Sequence, residues 1–179
     1  MKITRFRAAI VASVLGVGVA ATIAITAPSM ASADDVGSMS KLTQAQAEKQ
    51  FRDAGITWSS SGGCTDRNNA HCTSFEQINS DTVKGAITLK GASKCAINIT
   101  GGTETGHASG TYSHWNGYKL DLQRTSCLTN YVTGHYTSIG GSKWKSPAGN
   151  IYYDENNHWD VTYYNCGGCK FERGNWVRE

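Results

Sequence analysis

The sequence predicts an α+β domain: N-terminal helices packed on a short antiparallel sheet that carries a metal site and is stapled by disulfides. Three observations lead there. Helical patterning is confined to residues 42–92, strand alternation takes over from Lys94, and all six cysteines lie beyond residue 33. Helices first and strands afterwards, without βαβ alternation, is the pattern of α+β folds.

The first 33 of the 179 residues read as a signal peptide. Lys2, Arg5 and Arg7 precede the apolar run "AAIVASVLGVGVAATIAI", and "ASA" at Ala31–Ala33 supplies small residues for cleavage. The run is long enough for an uncleaved anchor to be weighed, but the small-residue site followed by Asp34 and Asp35 favours cleavage. Residues 34–41 then form a flexible new N-terminus, and 42–179 a single domain. Cleavage removes three cations and no acids, which leaves 14 of the 17 basic residues against 14 acidic ones. That balance argues against a nucleic-acid partner. The mature protein is expected to be secreted, extracellular and monomeric, with no membrane contact after cleavage.

"LTQAQAEKQFRDAG", Leu42–Gly55, predicts the first helix: Thr43 caps it, Gln46 completes the box and Gly55 ends it. Its apolar stripe, Leu42, Ala45, Phe51 and Ala54, is loose, so the helix needs the rest of the domain. A polar loop, Ser59–Cys72, leads to a second helical stretch at Ser80–Ala92 with Val83, Ile87 and Leu89 inward. "CAINIT" then alternates as a strand, "GGTETGHASG" connects, and "YKLDL" forms the next strand. "NIYYDENNHWDVTYY" reads as a hairpin turning at "DENN".

Six cysteines in an exported chain indicate a disulfide framework. They allow 15 pairings, among which sequence does not choose. The expected set joins neighbours: Cys64 with Cys72, Cys95 with Cys127, and Cys166 with Cys169. "CGGC" as a redox dithiol is disfavoured, because no βαβ pattern surrounds it.

The chemistry concentrates in two segments. A catalytic zinc ion takes three ligands from His, Asp or Glu and keeps one position open. In "YKLDL" alternation places Asp121 and Lys119 on one face and Tyr118, Leu120 and Leu122 on the other. His114 lies in the entering loop, and Gly117 allows that loop to turn back toward the strand. The third ligand comes from "ENNHWDV", where His158 opens the returning strand. Glu155, three residues earlier, can lean over the metal as general base and then protonate the leaving amine. Against this stands a simpler reading, in which the histidines bond to backbone and Asp121 pairs with Lys119 or Arg124. His, six residues, Asp, then Glu-x-x-His on a hairpin makes that reading the weaker one when the residues are taken together.

"SHWNGYKLDL" resembles the Ser-x-His-x-x-Gly-x-Ala-x-Asp signature of the zinc D-alanyl-D-alanine carboxypeptidases and dipeptidases, and "ENNHW" resembles their Glu-x-x-His. The serine stands next to His114 here, and Lys119 replaces the small residue. That family belongs to the wider lysostaphin, D-Ala-D-Ala peptidase and hedgehog fold group, and the resemblance spans about residues 95–165. It implies His114, Asp121 and His158 as zinc ligands, Glu155 as catalytic base, and peptidoglycan stem peptides as substrates. "ITGGTE" stands where the family carries an oxyanion-stabilising arginine, so Thr103 and Glu104 occupy that region. His107 is then the donor expected to act in its place. A second assignment makes Asp160 a ligand and His158 the base, which leaves Glu155 without a role. His71 and His135 fit no pattern. The alternative function is a non-catalytic secreted wall-binding or inhibitor module on the same fold.

Overall fold

The computed structural model describes residues 40–164, together with the strand backbones at 169–172 and 175–178. The elements run in the order β1 (Lys41–Leu42), α1 (Gln44–Asp53), β2 (Thr57–Trp58), β3 (Ile78–Asn79), α2 (Ser80–Ser93), β4 (Asn98–Gly101) and β5 (Lys119–Gln123). They continue with α3 (Ser126–His135), β6 (Thr137–Gly140), β7 (Lys143–Lys145), β8 (Ile151–Asp154), β9 (His158–Thr162), β10 (Cys169–Glu172) and β11 (Asn175–Arg178). The expected signal peptide, and the pairing of Cys166 with Cys169, lie outside the described residues. Among the described residues no helix is long and apolar enough to cross a membrane.

The architecture is α+β, but the sheet is larger than the short antiparallel one expected, and it is mixed. Seven strands order as β2-β4-β5-β9-β8-β7-β6, with β2 parallel to β4 and the other neighbours antiparallel. The additions escape periodicity for physical reasons. β2 is two residues long, and its partner residues lie 41 positions further along the chain. β6 is exposed throughout and contains Ile139 at 50 % exposure, so no inward apolar face marks it. α3 was likewise not expected. Its threonines, valine and glycine are poor helix formers, and what holds it is the Thr125 cap on the Leu128 N–H and the burial of Leu128 and Val132.

Thr43 and Gln46 form the capping box of α1 and seat Ala47 and Phe51 in the core. The buried face of α2 runs through Val83, Ala86 and Leu89, with Ile87 only half-buried at its edge. These side chains share one core with Leu120 and Leu122 of β5 and Trp159 and Val161 of β9. Register then fixes the opposite face. Leu120 sits opposite Val161 and Leu122 opposite Trp159, so Asp121 must lie opposite Asp160 and Gln123 opposite His158. The polar residues of β5 and β9 therefore share the face turned away from the core.

Two disulfides brace this frame, Cys64–Cys72 across 8 residues and Cys95–Cys127 across 32. The second ties the segment leading into β4 to α3. Loop-closure entropy scales with the logarithm of the enclosed length, so replacing Cys95 and Cys127 by serine should cost about 3–4 kcal/mol, and the shorter bridge about 2–3 kcal/mol. Urea denaturation of the two double variants checks both the size and the order of these losses.

Candidate metal centre

Asp121 is the hub. Its Oδ1 lies 3.3 Å from His114 Nε2 and 3.4 Å from His158 Nε2, and its Oδ2 lies 3.7 Å from His107 Nδ1. Both His114 Nε2 and Asp121 Oδ1 are buried and make no hydrogen bond. Buried polar atoms are nearly always paired, so two that face each other unpaired require an explanation. Donors on a tetrahedral zinc ion, with bonds of 2.0–2.2 Å, sit about 3.4 Å apart. The observed separations match that spacing, and a shared cation would satisfy both atoms at once.

The other ring nitrogens are already committed, which aims the free ones inward. His114 Nδ1 donates to the Gly102 carbonyl at 2.7 Å, leaving Nε2 bare toward Asp121. His107 Nε2 meets Glu104 Oε1 at 3.2 Å, leaving Nδ1 toward Asp121. His158 Nδ1 meets Asn157 Oδ1 at 2.8 Å, leaving Nε2 between Asp121 and Glu155 Oε2, each 3.4 Å away. His107 and His114 stack with ring centroids 3.8 Å apart. Among the described residues, His107, His114 and Asp121 form a group whose ligand atoms all lie within 4.8 Å of one another, and this group can hold a metal ion. His158 reaches the hub from the opposite strand, and Glu155 reaches His158.

Local structure explains each placement. His114 closes a turn in which the Gly117 N–H donates to its carbonyl at 2.7 Å, and Gly117 takes φ +77°, a conformation that strains any side chain. At the β8–β9 turn, Asp154 accepts from the Asn156 N–H and Glu155 N–H donates to the His158 carbonyl, which sets Glu155 beside the ring. Asp121 pairs with neither Lys119 nor Arg124. Lys119 binds Asp160 at 2.7 Å and Arg124 binds Asp154 at 3.0 Å. His135 bonds the Tyr131 carbonyl, away from this site.

Three sets of contacts were not read from the sequence, although Glu104 and Asp160 were named there. Glu104, 3 % exposed, stands in the region of the missing arginine. It accepts hydrogen bonds from the Ser74 and Gly102 N–H groups and from His107. Asp160 carries a carboxylate directly opposite Asp121 and is held by Lys119. Gly101 sits opposite Asp121 on β4, where a Cβ would collide with Asp121 Oδ2 and approach its Cβ and Cγ to 3.1 Å. The double glycine before "TE" was the available signal for this close approach. Gly101→Ala is expected to displace the carboxylate and lower zinc affinity about 10–100-fold with the fold kept, as calorimetric titration and circular dichroism would show.

The electrostatics follow from this crowding. Burial would lower the His114 pKa, but the Asp121 and Asp160 carboxylates outweigh it and push it up to about 9. Burial would raise Asp121, yet His114 and His158 hold it well below the usual carboxylate range. Asp121 and, more weakly, Glu155 and Asp160 raise His158 against its burial. Without a cation, then, protons balance the acids. Because the folded pKa of His114 exceeds its unfolded value of 6.5, the stability it contributes is full below pH 6.5 and is lost as pH rises through about 9. A metal needs the neutral imidazole, so zinc affinity should rise over the same window, about tenfold per pH unit for each proton displaced. Melting curves with zinc and with chelator should accordingly diverge from pH 6.5 to 9.

No protein-family model, curated protein or solved structure matches this chain.

Proposed function

We propose that the protein is a secreted, monomeric zinc metallopeptidase that hydrolyses peptide bonds in peptidoglycan stem peptides or cross-links. The observation that carries the metal is that His114 Nε2 and Asp121 Oδ1 are buried, 3.3 Å apart, and make no hydrogen bond. His114, Asp121 and His158 would hold the ion, as the resemblance to the D-alanyl-D-alanine peptidases implies. A zinc ion there would polarise the scissile carbonyl and acidify a water. Glu155, 38 % exposed and 3.4 Å from His158 Nε2, would take a proton from the attacking water and pass it to the leaving amine. His107, whose Nδ1 lies 3.7 Å from the other oxygen of the same carboxylate, would serve as donor to the developing oxyanion. The two disulfides fit an oxidising, extracellular setting.

One observation favours a second reading. His107 belongs to the compact His-His-Asp group, and if His107 and His158 both bind, four protein ligands close the shell. A closed shell is the mark of a structural zinc site, and the protein would then be a non-catalytic wall-binding or inhibitor module. Metal analysis of the purified chain, followed by mass spectrometry of digested peptidoglycan, separates the two. The peptidase requires about one zinc per chain and new amino groups; one zinc without new amino groups selects the module, and no zinc sinks both.

A further inference from the structure

Two hollows adjoin along the flank of the metal group, and both include Glu104 and His107 in their walls. One, of about 410 Å³, is lined by Ser59, Ser60, Ser61, Thr73 and Thr100. The other, of about 250 Å³, is lined by Gly106, Ser109, Gly110, Trp115 and Asn116. These sizes bracket the lower end of the range for small-ligand pockets. His107 thus borders both hollows, while its ring stacks on His114 and its Nδ1 faces Asp121.

The lining speaks to what fits. No lysine or arginine lines either hollow among the described residues. Lys119 and Arg124, on the sheet face nearby, are bound to Asp160 and Asp154. Arg67 lies 3.7 Å from the Trp115 ring centroid and donates to the carbonyls of Thr103 and Trp115. A free terminal carboxylate needs a cation or several donors to leave water. The serine and threonine hydroxyls and small residues here suit instead an uncharged backbone of alternating N–H and C=O groups.

We infer that the two hollows are the two arms of one substrate groove, which holds an internal segment of a neutral polar peptide running from Ser59–Ser61 across His107 to Trp115. This rests on the peptidase reading above and deepens it: the cut falls inside a chain, with residues bound on both sides of the scissile bond, and a free carboxyl end is not required. The enzyme is an endopeptidase on linked or capped stem peptides.

The test uses the zinc-loaded Glu155→Gln chain, so that binding is read without turnover, and one stem pentapeptide prepared with its carboxyl end free or amidated. Calorimetry should give the two forms affinities within about threefold of each other. Ser61→Trp and Ser109→Trp, one in each arm at exposed positions, should each weaken both forms by about tenfold or more, because each obstructs one arm. Thermal melting verifies that these variants fold. With wild-type enzyme, mass spectrometry should show internal cleavage of the amidated peptide. Tight binding of the free acid alone, lost in Arg67→Met, would overturn the groove, as would full affinity in both tryptophan variants. Release of only the terminal residue by a zinc-dependent activity would overturn it too, while leaving the metallopeptidase intact. Conversely, a zinc-loaded chain that hydrolyses nothing sinks the peptidase, and the calorimetric comparison still reads the groove.

Discussion

Asp121→Asn should lower zinc affinity by at least about 100-fold and abolish hydrolysis, the largest loss expected of any single change. Outer partners of metal ligands already cost about 10–100-fold when removed, and Asp121 is the residue on which three imidazoles converge. The asparagine keeps the shape and removes the charge, so steric damage does not explain a loss. A second effect sets this residue apart from an ordinary ligand. In the zinc-free chain Asp121 is the main counter-charge for His114, which is 3 % exposed. Removing one member of such a buried pair costs about 3–5 kcal/mol, because the other is left uncompensated. Zinc-free Asp121→Asn should therefore melt well below zinc-free wild type at pH 6, and the gap should shrink toward pH 9 as His114 loses its proton in the wild type. Titration calorimetry with zinc and melting curves with chelator give the two readouts independently. Unchanged zinc binding would remove the metal centre altogether.

The division between what the sequence showed and what it hid has a physical basis around that same residue. Alternation in "YKLDL" was legible because Leu120 and Leu122 must be buried, and burying them forces Asp121 to the other face. The turn at Gly117 was legible because a positive φ selects glycine. The Cys64–Cys72 and Cys95–Cys127 bridges agreed with a neighbour-to-neighbour guess that spacing alone did not dictate. What was hidden depends on contacts between segments remote in the chain. β2 meets β4 across 41 positions and has too few residues to display a period. Glu104 gains its place from the Ser74 N–H, thirty positions away, and no local pattern announces a carboxylate that will be buried by such a donor. His107 was singled out as a donor, but its stacking on His114 and its grip by Glu104 come from the path of the 102–113 connection, whose glycine-rich sequence has no periodicity to read.

Glu155→Gln is the change that separates chemistry from metal binding. Glu155 is more exposed than the buried pair, and it touches the cluster through one contact, 3.4 Å to His158 Nε2. Its charge is a lesser contributor to His158, whose raised pKa comes first from Asp121. Neutralising it should leave zinc affinity within about threefold of wild type. As the proposed general base, however, it would carry the proton of the attacking water, a role worth about 10²–10⁴ in rate. Turnover of stem peptides should fall by that factor with the KM little changed, since the loss is confined to the transition state. Equal losses in zinc affinity and turnover would make Glu155 a ligand instead, and would favour Asp160 or His158 as the proton acceptor. Comparison with His107→Ala sharpens the result. An oxyanion donor at that position would lower turnover about 10²–10³-fold without changing zinc affinity, whereas a fourth ligand would release zinc and could open a position for water. The two variants, measured side by side for zinc content and turnover, therefore determine whether His107 serves the reaction or closes the metal against it.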